Sequence, residues 1–198
     1  MGLDMYLERV KMLSDDEKAE ALKMTLDELR EKYTIMEMDE TERDLCSHIL
    51  PYATMVRRSV EEISIPLVMK ALGYPEDVRF CGSCYGGGRH VFWFRDKDDK
   101  KYELDLAKID EKKLEDATVT NEYDYAVFKE IRQEAYWRKE YDLQGAIYDA
   151  CSEEIRNCGY YPLTEEMKEA ILSYPENGLS RCELENTDDS VVCYHEWY

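Results

Sequence analysis

The residues best equipped for chemistry are two cysteines spaced Cys-x-x-Cys and a histidine shortly after them. Cys81, Cys84 and His90 are candidate zinc ligands, since a tight turn between paired cysteines aims both thiolates at one tetrahedral ion. A second half of such a site is not written as a clear pair. Cys46 with His48, or Cys193 with His195, would supply it through folding. The alternative is two free thiols at the start of a glycine-rich hairpin, with no cofactor at all. The local spacing leaves both readings open.

Other chemistries fit less well. Cys81-Gly82-Ser83-Cys84-Tyr85 matches a short signature of papain-like cysteine proteases. In those enzymes the second cysteine opens a helix, whose N-terminus lowers the thiol pKa. Here Gly86, Gly87 and Gly88 follow, which is poor helix material, and Val78 stands where an oxyanion-hole glutamine belongs. A thioredoxin-like pair needs a strand-then-helix setting that is missing. Gly86-Gly87-Gly88-Arg89 lacks the spacing and the following helix of a phosphate-binding loop, so a hairpin loop is expected there.

Two further groups are candidate binding surfaces. Tyr136, Trp137 and Arg138, with Lys139 and Arg132, concentrate aromatic and basic side chains. Arginine stacks on rings and pairs with carboxylates, so the patch serves either a partner or internal packing. Asp15, Asp16, Glu17, Glu20, Glu37, Asp39 and Glu40 make an acidic array capable of facing a basic partner.

That array belongs to a strongly negative chain. Forty-five acidic against 26 basic residues give a net charge of −19 over 198 residues. Such a surface repels phosphate backbones and anionic membranes, which argues against direct nucleic-acid or membrane binding. It attracts basic protein surfaces, although acidity also serves plain solubility. Seven cysteines, an odd number, with no secretory leader pattern point to free thiols in the cytoplasm. No apolar run approaches the ~20 residues of a membrane span.

The elements that position these residues read as α+β. Alternation of Leu3, Met5 and Leu7 predicts a strand, and Ser14 with Glu17 predicts a capped helix carrying Leu22, Leu26 and Leu29. Residues 41–64 predict a helix broken at Pro51. Residues 65–72 predict a short helix stopped by Gly73 and Pro75. Val91–Trp93 and Tyr102–Leu106 flank a polar turn and predict a hairpin, with 81–88 as a loop or irregular edge. Spacing of Tyr125, Phe128, Ile131, Ala135, Leu143, Ile147 and Ile155 predicts a long helix near 122–157, interrupted at Gly145 and capped at Cys158-Gly159. Thr164, Glu165 and Glu166 open another helix, ended by Pro175. Residues 181–185 and 191–197 predict a closing hairpin with its turn at 186–189. The expected architecture is a single domain, 1–198, with a small antiparallel sheet that includes both terminal strands. Helices pack on that sheet.

Gly2-Leu3-Asp4-Met5-Tyr6-Leu7, Ala135-Tyr136-Trp137-Arg138-Lys139, Cys158-Gly159-Tyr160-Tyr161 and Tyr194-His195-Glu196-Trp197 together resemble a family of small uncharacterised phage, prophage and bacterial proteins. The family's polar asparagine and histidine after the Tyr-Trp-Arg-Lys block are replaced by Tyr141 and Gln144. Residues of about 22–114 read as a helical and hairpin insertion against shorter relatives. The resemblance implies a phage-type setting and, with the charge, a non-enzymatic binding protein. Its expected partner is a basic surface such as a nucleic-acid-handling defence enzyme or CRISPR effector, inhibited by nucleic-acid mimicry. The competing expectation is a small enzyme or zinc-stabilised module built on Cys81, Cys84 and His90.

Overall fold

The computed structural model describes residues 2–175 and 178–198. In chain order the strands and helices are β1 (Asp4–Lys11), α1 (Asp15–Ala21), α2 (Leu26–Lys32), β2 (Thr34–Glu37), α3 (Glu40–Leu45) and β3 (Thr54–Ile63). Then come α4 (Ile65–Ala71), β4 (Arg79–Gly86), β5 (Arg89–Arg95), β6 (Lys101–Asp105), α5 (Glu111–Glu115), β7 (Thr118–Phe128) and β8 (Glu130–Arg138). The chain closes with α6 (Tyr141–Ala150), β9 (Tyr160–Pro162), α7 (Glu165–Ser173), α8 (Arg181–Leu184) and β10 (Ser190–Trp197). The fold is α+β. Three sheets have the orders β8-β1-β10-β9, β2-β7-β3 and β4-β5-β6.

The chain divides into two compact units, 1–58 with 123–198, and 59–122. Both boundaries fall inside strands, β3 and β7, so the second unit departs from and returns to the first along extended chain.

In the first unit both terminal strands lie at the centre of one antiparallel sheet. β1 pairs with β10 on one side and with β8 on the other. Alternation along β1 and β10 gives the sheet two faces. One carries Met5, Leu7, Val192 and Tyr194, all buried against Leu143 and Ile147 of α6 and Met167 and Ile171 of α7. Glu196 lies on this face too and is fully buried. Its carboxyl group accepts from Gln144 Nε2 at 3.0 Å, from the Tyr194 hydroxyl at 2.8 Å and from the Tyr148 hydroxyl, so both oxygens have donors. On the other face Val10, Val191 and Cys193 are buried with Met38, Ile49 and Phe128.

The second unit packs α4 on the β4-β5-β6 sheet, with Val68, Met69, Phe94 and Leu104 at its centre. Gly73, at φ +73°, follows the helix in a left-handed conformation that suits glycine. The β5–β6 hairpin turns through Asp96–Lys100 as the sequence predicts. Asp96 Oδ1 accepts from the Asp98 and Lys100 amides at 2.9 and 3.0 Å.

Five expectations are corrected. The long helix of 122–157 is two strands, β7 and β8, followed by the ten-residue helix α6. Tyr125, Phe128, Ile131 and Ala135 imitate a helical stripe, but the segment is rich in β-branched and aromatic residues and finds strand partners far along the chain. Cys158 is left-handed at φ +67° but sits in a turn eight residues beyond that helix. Residues 41–64 hold only α3 and a 3-10 turn before β3, whose Thr54, Val56, Arg58 and Val60 alternate with exposed neighbours. The stripe expected through Leu29 is two helices, because Thr25 and Glu28 form a second capping box that restarts the chain after α1. Arg181–Leu184 is a helical turn rather than a strand. Of the two readings of 81–88, loop or irregular edge, the structure has the second, an edge strand β4 with a bulge at Cys81.

Candidate functional site

Register on the first unit's sheet assembles a feature no single segment encodes. Tyr6 of β1 lies opposite both Tyr136 of β8 and His195 of β10, and His195 lies opposite Tyr160 of β9. The four rings cross all four strands in one row. Centroids are 5.2 Å apart for Tyr136–Tyr6, 5.8 Å for Tyr6–His195 and 4.5 Å for the stacked His195–Tyr160 pair. Cross-strand aromatic pairs stabilise a sheet by themselves. This row also leads from open surface at Tyr136, 44% exposed, to the buried ring of Tyr160.

Beyond the buried end lies a cleft of about 530 Å³ lined by Tyr160, His195, Glu37, Asp39, Glu42, Met36, Cys46 and Cys158. β2 delivers Glu37 at its last residue. Asp39 caps α3, its Oδ1 accepting from the Glu42 amide at 2.8 Å, and the first turn of that helix projects Glu42. His195 is held by Nδ1 against the Gly159 carbonyl oxygen at 3.2 Å. The electrostatics are uniformly negative. Burial, with help from Glu42, pushes the Cys46 thiol up to about 11, and the same causes raise Cys158. Burial and the nearby Glu8 carboxylate raise the Tyr160 hydroxyl. Neutral thiols and phenols, flanked by carboxylates, make poor nucleophiles but a good receptacle for a cation.

The sequence-derived candidates separate. Glu37 and Asp39 line the cleft. Glu40 is exposed at the start of α3, and Asp15, Asp16, Glu17 and Glu20 sit on α1, outside the cleft lining. Three of those four are already engaged: Asp15 with Lys18 at 2.9 Å, Glu20 with Lys32 at 2.6 Å and Glu17 with Lys129 at 3.0 Å. Tyr136 and Arg138 stand on a strand, not a helix. The Tyr136 hydroxyl donates to Asp4 at 2.6 Å and Arg138 lies 3.6 Å from the same oxygen. Trp137 points to the opposite face and packs on the apolar core. Internal pairing therefore takes up much of this patch.

Cys81, Cys84 and His90 do not converge. Cys81 falls at a bulge, Cys84 pairs with Val91, and His90 pairs with Tyr85, so alternation sends Cys84 and His90 to opposite faces of the sheet. Among the described residues no group of three His, Cys, Asp or Glu side chains is placed to hold a metal ion. Likewise, no helix among them is long and apolar enough to cross a membrane.

Sequence reasoning overlooked the row itself. Alternation in the terminal strands does place Tyr6 and His195 on defined faces. Only pairing shows that those faces coincide.

Comparison with known proteins finds no matching family model, no matching curated protein and no matching solved structure.

Proposed function

We propose that the protein is a non-catalytic binding protein whose first unit receives cationic side chains from the basic surface of a partner protein. The observation that carries this reading is the cleft that Glu37, Asp39 and Glu42 line together with the stacked His195 and Tyr160. A guanidinium or ammonium group gains there from carboxylates and from ring faces and edges together. The net charge of −19 supports it, since the field of the whole chain draws basic partners in and repels phosphate. The similarity of the Gly2–Leu7 and Ala135–Lys139 segments to phage-type proteins supports a setting in which the partner is a host nucleic-acid-handling enzyme. Occupying that enzyme's basic groove would then block it.

The test is titration of the intact protein with a labelled arginine-rich peptide by fluorescence anisotropy, at low and high salt. Glu37→Lys with Glu42→Lys should weaken binding at least about tenfold, and raised salt should weaken it for the unaltered chain. Binding that ignores both would remove the cleft from consideration.

A further inference from the structure

The second unit carries an unrelated surface. Strand β4 ends the β4-β5-β6 sheet, so one side of its backbone has no strand neighbour. Its residues are exposed on both faces except Gly82. Edge strands are normally guarded by charges, prolines, bulges or a covering element, and of these β4 has the bulge at Cys81. Here no charged residue and no proline occurs from Phe80 to Gly88, in a chain of which 36% is charged. Beside the start of this edge, between β4 and helix α4, opens a groove of about 550 Å³. Leu67 of the helix and Phe80 of the strand line it and are 40% and 56% exposed, with Phe92 and Phe94 of β5 also in its wall. Phe80 and Phe94 meet edge to face, centroids 5.8 Å apart. Two charged side chains border the groove, Lys70 and Glu76, and neither forms an ion pair with a described residue.

A strand edge next to an apolar groove is the arrangement that captures extended peptide, with main-chain bonds supplying affinity and alternate side chains entering the groove. We propose that β4 and the α4 groove form a docking site for an extended segment of a partner protein, added as a further strand to β4. The segment presents bulky apolar residues at alternate positions to Leu67, Phe80 and Phe94. Residues of both charge signs flank them, a carboxylate for Lys70 and a cation for Glu76. This site is independent of the acidic cleft and stands or falls separately.

The experiment selects binders to the intact protein from a displayed library of random nine-residue peptides. The selected peptides are then titrated against the unaltered chain, Phe80→Asp and Leu67→Asp. Both substitutions fall on exposed side chains, and circular dichroism checks that the variants fold. The expected result is enrichment of alternating apolar sequences, with affinity falling at least about tenfold in each variant. N-methylation of alternate peptide amides should abolish binding, since it removes the added strand's hydrogen bonds. No enrichment, binding indifferent to the two variants, or binding that survives N-methylation at every register would each overturn the proposal. So would sedimentation showing the protein to be a dimer that Phe80→Asp dissociates, because the edge would then belong to a second copy.

Discussion

The two units solve the same problem of an open sheet face in opposite ways. In the first, the face bearing Val10 and Val191 grades from a dry core through an aromatic row to a cleft edged by carboxylates. In the second, α4 covers part of the sheet and leaves an apolar groove beside an uncharged edge. The buried thiols, Cys46 and Cys193, lie in the first unit, where Cys151 and Cys158 are half-buried and Cys182 is exposed, whereas Cys81 and Cys84 of the second are both exposed. Alternation builds both faces. What stands opposite each face decides whether it becomes core, acidic cleft or apolar groove.

The sharpest way to break this comparison is Leu104→Ala. Leu104 is fully buried in the second unit's core, and its truncation should cost about 2–5 kcal/mol. Amide exchange should accelerate across 59–122 and remain slow at Leu7 and Tyr194. Equal acceleration in both regions would show one cooperative core, and the division into two units would lose its energetic meaning.

Acid titration, compared between the unaltered chain and Glu17→Ala, probes a contact of the first unit. The Glu17 carboxylate accepts the Ser14 amide at 2.8 Å and pairs with Lys129, and these hold it down at about 2 against an ordinary 4.5. A carboxyl depressed in the folded state stabilises fully above its unfolded value and loses that contribution as pH falls toward its folded value. Denaturant midpoints should therefore decline between about pH 4.5 and 2. Glu17→Ala should flatten that decline and cost about 1 kcal/mol at neutral pH, the usual worth of a helix cap. An unchanged acid limb in the variant would assign the loss to other carboxylates.

The smallest effect is expected at Gly145, inside α6. A methyl group added there meets no atom within 4 Å, so the residue is not a close packing point. Gly145→Ala should raise stability by up to about 1 kcal/mol through helix propensity alone. A destabilised variant in a thermal melt would show that the helix needs freedom at this point.

Much of the fold was legible wherever the governing interaction is local. The Ser14–Glu17 box, the stop at Gly73, the turn at 96–99 and the Thr164 cap each act within four residues, and all stand in the structure. The alternation that makes β1 and β10 strands is equally local. Charge and composition needed no structure at all.

Pairing lay beyond the sequence. β8 reads as helix because its apolar spacing fits both periods, and the choice falls to β1, more than a hundred residues away. The same long-range pairing brings Tyr136, Tyr6, His195 and Tyr160 into one row and sends Cys84 and His90 to opposite faces. A strand's side chains alternate with a period of two, so a shift of one residue in register reverses which of them face one another. Local propensity is blind to that choice; the burial of Met5, Leu7, Val192 and Tyr194 beneath α6 and α7 makes it.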